Sequence, residues 1–287
     1  DTITGSSYDE YKKIISNYYG LILRSGFSVD KTFLQSAKML AFIGRVGSGM
    51  ENIDISYAKE MGIHCFNSPE GNRNAVGEHA LGMLLALQNN ILTADQEVRQ
   101  GKWNRESNRG VELKDRVIGI IGFGNTGSAF AEKLKGLNCR VIAYDKYKKG
   151  FGSDLVEEVG INSICLDADV ISLHVPLTPE TRYLVDDGFI SRVKNPFIII
   201  NTSRGKVINT SSLVNAMKAG KITGAALDVL EYEDDSFEFL RDDKRPEPFN
   251  YLTHSKKVVL TPHIAGWTIE SKHLLAEVLI KKILEMK

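Results

Sequence analysis

The chain predicts an α/β fold built from doubly wound parallel sheets, and three observations carry that prediction. Val117 to Asp145 reads as strand, glycine turn, helix and strand in immediate succession. Apolar, β-branched runs recur between helical patterns along the whole chain, as parallel strands buried on both faces require. The 287 residues are 43% hydrophobic and 25% charged, enough to bury the cores of two ordinary domains.

The central stretch has the most specific pattern. Val117–Ile121 (VIGII) is a buried-strand run, and Gly122-Phe123-Gly124-Asn125-Thr126-Gly127 follows as G-x-G-x-x-G. Phe130, Leu134 and Leu137 then recur at helical spacing, and Cys139–Tyr144 returns as a strand closed by Asp145. In such a unit the first glycine permits the tight turn, the second admits a pyrophosphate, and the third lets the helix pack on the strand. The anion meets free N–H groups at the positive helix end. Asp145, 18 residues after Gly127, is placed to accept from adenosine ribose hydroxyls and to repel a 2′-phosphate, which favours NAD over NADP.

Taken in order, Tyr8–Ile15 has a short helical pattern and Tyr19–Arg24 reads as a strand. A helix starting near Ser28–Lys31 buries Phe33, Leu34 and Ala37, and Leu40–Val46 forms a strand running into Gly47-Ser48-Gly49. Asp54–Met61 reads as a helix stopped by Gly62, and Ile63–Phe66 as a short strand. After a loop over Asn67–Gly77, one long helix is expected to bury Ala80, Leu84, Leu87 and Ile91 and to end at Gly101–Arg105. Beyond Asp145, strands are expected at Asp169–Val175, Phe197–Asn201, Ala225–Leu230 and Val258–Leu260, with a helix over Ser211–Ala219. Residues 231–256 read as a long charged surface connection and Thr268–Met286 as a closing helix.

Composition removes several classes of function. Lysine and arginine (36) balance aspartate and glutamate (36), so no basic excess speaks for nucleic acid or an anionic membrane. Cys65, Cys139 and Cys165 form no C-x-x-C pair, which fits a reduced, cytoplasmic setting without a disulfide framework or zinc site. No acid, histidine or cysteine cluster has metal-ligand spacing, and no apolar run is long enough to span a bilayer.

Ligands of open α/β sheets bind beyond the carboxyl ends of the strands. The polar groups that follow strand ends are Arg45, Ser48, Asp145, His174, Thr202-Ser203-Arg204, Asp228 with Glu231 and Glu233, and His263. Arg204 offers a planar cationic fork suited to a carboxylate. His263 is a residue type able to exchange a proton near neutral pH. Asp228 stands in an apolar strand, where an acid needs partners. Composition does not choose between Glu231 and Glu233. His79 at the start of the long helix reads as structural, and His64, His254 and His273 take no role.

Segments along almost the whole chain resemble the D-isomer-specific 2-hydroxyacid dehydrogenases: IGRVGSGMENID, NSPEGNRNAVGEHALGMLLAL, GKWNRESNRGVEL, VIGIIGFGNTG, ISLHVPLTPETRYLV, INTSRGKVIN, GAALDVLEYE and VVLTPHIAGWT. Within the family the chain is most similar to the phosphoglycerate dehydrogenases of serine biosynthesis. The resemblance implies a Rossmann NAD-binding domain over residues 79–267, inserted in a flavodoxin-like substrate domain over 1–78 plus 268–287. It implies catalytic Arg204, Glu233 and His263, with Glu233 orienting the imidazole. Substrate would be bound by Arg45, for a phosphate, by Gly47, Ser48 and Gly49, for the carboxylate, and by Arg204. NAD would meet Gly122, Gly124, Asn125, Thr126, Gly127, Asp145, Val175, Pro176, Thr202, Asp228, His263 and Gly266, with Asp228 on the nicotinamide carboxamide. A homodimer is implied, with the loop of Trp103 a candidate contact.

The implied reaction moves hydride between nicotinamide and C2 of a D-2-hydroxy acid, 3-phosphoglycerate in the first reading. Reduction of glyoxylate, hydroxypyruvate or another 2-keto acid is the nearest alternative, and an NAD(H)-sensing corepressor-like protein is the alternative of another class. There are departures. The family begins with one more strand and helix before the match to YGLILRS, so the first domain is expected to be incomplete. The regulatory domain of many phosphoglycerate dehydrogenases is expected to have no counterpart in these 287 residues. Asn125-Thr126 stands where Arg-Ile is usual, and Trp267 is a bulky choice after HIAG.

Overall fold

Local capping starts the first elements where the sequence suggests. In a computed structural model, which describes residues 7–24, 27–233 and 246–286, Ser7 and Glu10 form a reciprocal capping box on α1 (Tyr8–Ile14). β1 (Gly20–Leu23) follows. Asp30 caps α2 (Lys31–Leu34) by accepting from the Phe33 N–H, and β2 (Phe42–Arg45) comes next. Asp54 caps α3 (Ile55–Glu60) in the same way, before β3 (His64–Asn67). The three strands pair in parallel in the order β1-β2-β3, over a core that includes Val29, Phe33, Leu34, Ile43 and Ala58.

The chain divides into two units, and this sheet belongs to the first (residues 1–72, 234–238 and 268–287). The second unit covers 73–233 and 239–267. It opens with α4 (Arg73–Gln88). The helix thus begins inside the stretch expected to be a loop, and a boundary at 78/79 would fall within it. It also stops early. Asn90 takes left-handed backbone (φ 51°), and α5 (Ile91–Arg99) starts anew. Ala80, Leu84 and Leu87 are buried as expected, but Ile91 lies beyond the break and is 50% exposed.

The central unit forms as predicted, with β4 (Val117–Ile121), α6 (Asn125–Lys133) and β5 (Arg140–Tyr144). β6 (Glu157–Glu158), α7 (Ile161–Asp167), β7 (Val170–Leu173) and α8 (Asp187–Arg192) follow, of which the two helices and β6 carry too short a pattern to be foreseen. β8 (Phe197–Asn201), α9 (Thr210–Lys218) and β9 (Ile222–Leu227) complete the next right-handed unit. Part of the connection read as purely charged is α10 (Glu247–His254), which buries Phe249 and Leu252 before β10 (Val258–Leu260); residues 234–245 of that connection lie outside the described residues.

All seven strands are parallel, in the order β10-β9-β8-β7-β4-β5-β6. Strand order reverses between β4 and β7, the place where such sheets open a crevice for ligand. Two apolar layers cover the faces. One is built around Ile171, Phe189, Phe197 and Leu213, the other around Leu84, Ile120 and Phe130. The closing helix, α11 (Ile269–Leu284), belongs to the first unit, and buries Leu275 and Leu279 there.

Candidate active site

The glycine turn is built by close approach. Gly122 has φ 93°, a backbone that side-chain-bearing residues avoid, and a Cβ there would stand 2.5 Å from the His174 carbonyl oxygen. A Cβ on Gly127 would stand 2.0 Å from the Gly122 carbonyl oxygen, so only glycine lets α6 begin this near β4. Gly124 faces open space and caps α6 without any side-chain hydrogen bond. The helix N-terminus thus offers N–H groups to an anion.

Asp145, at the end of β5, accepts from the N–H groups of Phe123 (2.8 Å), Tyr147 (2.9 Å) and Lys148 (2.9 Å). Partial burial opposes its charge, but these donors outweigh burial and hold its carboxyl below the ordinary range. His174 follows β7. Its Nε2 lies 2.8 Å from Ser172 Oγ and its Nδ1 3.3 Å from Thr126 Oγ1, and its ring stacks on Phe130. Burial pushes its pKa down to about 3, so it is a neutral clasp on the glycine turn. Val175 sits beside Gly122, whose Cβ would meet Val175 Cγ1 at 2.9 Å. Thr202 Oγ1 is buried and has no hydrogen-bond partner among the described residues, which a bound polar ligand would supply. Open glycine, uncapped helix, ionised Asp145 and the orphaned hydroxyl together fit a dinucleotide.

Three adjacent parallel strands then bring the reactive side chains to their carboxyl ends. At the end of β8, Asn201 spends its amide on the turn. Its Oδ1 accepts from Ser203 N–H (3.0 Å) and Ser203 Oγ (2.7 Å), and its Nδ2 donates to the Arg204 carbonyl (3.0 Å). Arg204 Nη1 donates to the Ser203 carbonyl at 2.7 Å. After β9, the Leu230 N–H donates to Glu233 Oε1. Glu233 Oε2 lies 2.7 Å from His263 Nδ1 after β10. An ionised carboxylate only accepts, so Nδ1 carries the hydrogen of this contact.

The two glutamates have different partners. Glu231 accepts from the Tyr183 hydroxyl (2.6 Å) and from the Thr210 N–H at the start of α9 (2.9 Å), a structural tie. Glu233 alone of the two meets the histidine.

His263 has left-handed backbone (φ 56°), a costly state for a non-glycine residue that its surroundings must enforce. Asp228 does much of that. Its carbonyl accepts the His263 N–H at 2.7 Å, and its carboxylate accepts the N–H groups of Ile264 (2.9 Å) and Ala265 (2.8 Å). Thr261 Oγ1 lies 2.5 Å from Asp228 Oδ1 and 3.0 Å from His79 Nε2. Burial opposes ionisation of Asp228, yet the hydrogen bonds from His79, Thr261, Ala265 and Ile264 outweigh it and hold its carboxyl below the ordinary range. Sequence reasoning missed Thr261 and took His79 as structural. Nothing local links them, because they lie 182 residues apart in the chain.

In the first unit, Asn67 Nδ2 donates to the Ser48 carbonyl (2.7 Å) and Ser48 Oγ to Asn72 Oδ1 (2.8 Å), which fixes the Gly47–Gly49 turn. Arg45 is buried, and its Nη1 donates to the Val46 carbonyl (3.0 Å). Among the described residues, no group of histidines, cysteines and acids could hold a metal, and no helix is long and apolar enough to cross a membrane.

Comparison with known proteins places the chain among dehydrogenases. The family model for the D-isomer specific 2-hydroxyacid dehydrogenase, NAD binding domain, matches residues 81–265. The chain is 36% identical to the D-3-phosphoglycerate dehydrogenase of Archaeoglobus fulgidus over 99% of its own length and 52% of that protein's. The chain therefore spans about half the length of this relative. It is also 36% identical to the hydroxypyruvate reductase of Thermotoga maritima, over 96% of its own length and 87% of that protein's. The crystal structure of D-lactate dehydrogenase from Aquifex aeolicus, complexed with NAD and lactic acid, superimposes with a TM-score of 0.83 at 27% identity, covering 95% of this chain and 84% of that one. The chain belongs to the D-isomer-specific 2-hydroxyacid dehydrogenases and carries that family's NAD-binding domain.

Proposed function

We propose that the protein is an NAD-dependent oxidoreductase that interconverts a D-2-hydroxy acid and its 2-keto acid, with 3-phosphoglycerate and 3-phosphohydroxypyruvate as the first substrate pair. The observation that carries the reading is His263 Nδ1 held 2.7 Å from Glu233 beyond the ends of the adjacent strands β10 and β9, with Arg204 beyond β8, the next strand of the sheet. Bound NAD supplies the hydride acceptor or donor. His263 takes the proton from the hydroxyl in oxidation and returns it to the carbonyl oxygen in reduction. Glu233 orients the ring and balances the imidazolium that forms. Arg204 pairs with the substrate carboxylate and polarises the carbonyl, so the rate comes largely from orientation and preorganised charge. Pro176, Gly266 and the orphaned Thr202 hydroxyl are assigned to NAD with the residues of the glycine turn. Asp145 is assigned to the adenosine ribose. Asp145→Asn keeps an acceptor for the turn while removing the charge, and it is expected to relax the preference for NADH over NADPH by about tenfold or more. An unchanged ratio of kcat/KM values contradicts the ribose assignment.

The carboxylate is assigned to the Gly47–Gly49 amides and a substrate phosphate to Arg45. A hydrogen bond to a charged group is worth about tenfold to a hundredfold in affinity. Arg45→Ala is therefore expected to raise KM for 3-phosphohydroxypyruvate by that factor, with little change for glyoxylate. Equal effects on both acids remove the phosphate argument. The second substrate reading, an unphosphorylated acid such as hydroxypyruvate, is favoured by the match that spans 87% of a hydroxypyruvate reductase. Wild-type kcat/KM values for the two acids side by side decide between these readings.

We propose a homodimer as the working form, built on the apolar surface of Ile91, Leu92, Val98, Val111 and Trp103, which are 45–78% exposed. Light scattering is expected to give twice the chain mass for the wild type and a monomer for Trp103→Glu together with Val98→Glu. A wild-type monomer at micromolar concentration contradicts it.

A further inference from the structure

The His263 loop is held from a side of the molecule that the reaction itself does not explain. Asp228 is ionised and has no hydrogen to give, so the single hydroxyl hydrogen of Thr261 goes to Asp228 Oδ1 at 2.5 Å. Thr261 Oγ1 must then accept from His79, 3.0 Å away, which places a hydrogen on His79 Nε2. His79 Nε2 also lies 3.5 Å from Asp228 Oδ1. The donors therefore run in one direction, from α4 through Thr261 into the carboxylate that bonds the amides of Ile264 and Ala265.

We infer that His79 is a positioning residue for His263: through Thr261 and Asp228 it anchors the left-handed loop that presents the catalytic imidazole. The inference rests on the proposed acid–base role of His263, and His79 itself touches no reacting atom in it. α4 does not need this side chain to pack, because Ala80, Met83, Leu84 and Leu87 bury its apolar face. An ordinary core histidine would satisfy its own ring. Here the ring nitrogen is spent on a half-buried hydroxyl whose hydrogen is already committed to Asp228, and Asp228 is only 1% exposed. The hydrogen on Nε2 completes the set of donors that keeps the carboxylate ionised and fixed.

The test uses the full chain with four variants: His79→Leu, His79→Gln, Thr261→Val and the double variant His79→Leu/Thr261→Val. Glutamine can place an amide N–H where Nε2–H stands. Two readouts are taken, steady-state kinetics with NADH and the acid the wild type reduces best, and hydrogen exchange of the peptide covering residues 261–267. Removing a hydrogen bond in a charged network is expected to lower kcat about tenfold to a hundredfold in His79→Leu. KM for NADH is expected to move less than about threefold, and amide exchange at Ile264 and Ala265 to rise, since an interaction felt mainly in the transition state appears in kcat. His79→Gln is expected to recover most of both readouts. Because the two side chains act on one carboxylate, the double variant is expected to be no worse than Thr261→Val alone. The inference is overturned by unchanged exchange at Ile264 and Ala265 in His79→Leu, by multiplicative effects in the double variant, or by a glutamine variant as impaired as the leucine one. A wild-type chain that binds NADH and reduces no 2-keto acid defeats the acid–base reading instead. The exchange readout then still decides whether His79 anchors the loop.

Discussion

His263→Ala is expected to lose about 10³- to 10⁴-fold in kcat while NADH still binds, because a positioned general acid–base contributes about 10²- to 10⁴-fold and the pair with Glu233 is lost as well. The binding half of the prediction follows from where the proposed pyrophosphate and ribose contacts lie, apart from the nicotinamide end near His263. The glycine turn, Asp145 and the His174 clasp stand on β4, β5 and β7, whereas His263 follows β10. The kinetic half follows from the 2.7 Å contact, which fixes the ring's tautomer and direction. Glu233→Gln should show the same defect in weaker form, since an amide can still meet Nδ1 without balancing the imidazolium. Fluorescence titration with NADH and single-turnover kinetics separate the two halves. Normal turnover in His263→Ala, or a loss that lies wholly in NADH binding, contradicts the assignment.

Arg204→Lys is expected to lower kcat/KM by about 10²-fold or more, although the charge is kept. A lysine is a point donor and does not reproduce the planar fork that holds a carboxylate by two parallel bonds. Disrupting a hydrogen-bonded charge pair costs about 2–5 kcal/mol, or roughly 30- to 4,000-fold. The turn that carries Arg204 is tied by Asn201 through the backbone of Ser203 and Arg204. The substitution therefore changes the fork and leaves its support. The loss should be similar for phosphorylated and unphosphorylated acids, because both present the same carboxylate. A loss confined to the phosphorylated acid would move Arg204 to the phosphate and leave the carboxylate without its clamp.

The readable parts of the sequence are those whose physics is local. Strand β4, the glycine turn, α6 and β5 declare themselves because burial, a helix start and a second strand follow one another within about thirty residues of a βαβ unit. The same holds for the helix starts at Asp30 and Asp54, each with an aspartate directly ahead of its helix. Asn90 shows the converse. Its left-handed backbone divides what reads as one helix and turns Ile91 out, and asparagine tolerates that state without announcing it. α10 was hidden in a charged stretch because only Phe249 and Leu252 mark its buried side.

In the site, residue types were legible and their partners were not. Arg204, His263 and Asp228 can be picked out as polar groups after apolar runs. Choosing Glu233 over Glu231 needed either the family resemblance or the structure, in which the Tyr183 hydroxyl and the Thr210 N–H take up Glu231. The tie between His79 and Thr261 escaped notice because the middle of α4 and the segment after β10 meet only in the folded unit. His174 looked like another strand-end histidine, and only its burial reveals a neutral clasp on Thr126.

The central claim is hydride transfer to a 2-keto acid at a site made by His263, Glu233 and Arg204. The most direct measurement is oxidation of NADH by the wild-type chain with 3-phosphohydroxypyruvate, hydroxypyruvate, glyoxylate and pyruvate in parallel, followed by chiral analysis of any product that has a stereocentre. The account predicts NADH consumed in equal amount with a hydroxy acid of the D configuration, for at least one of the four. Tight NADH binding with no oxidation by any of them, or a product of the L configuration, would contradict it.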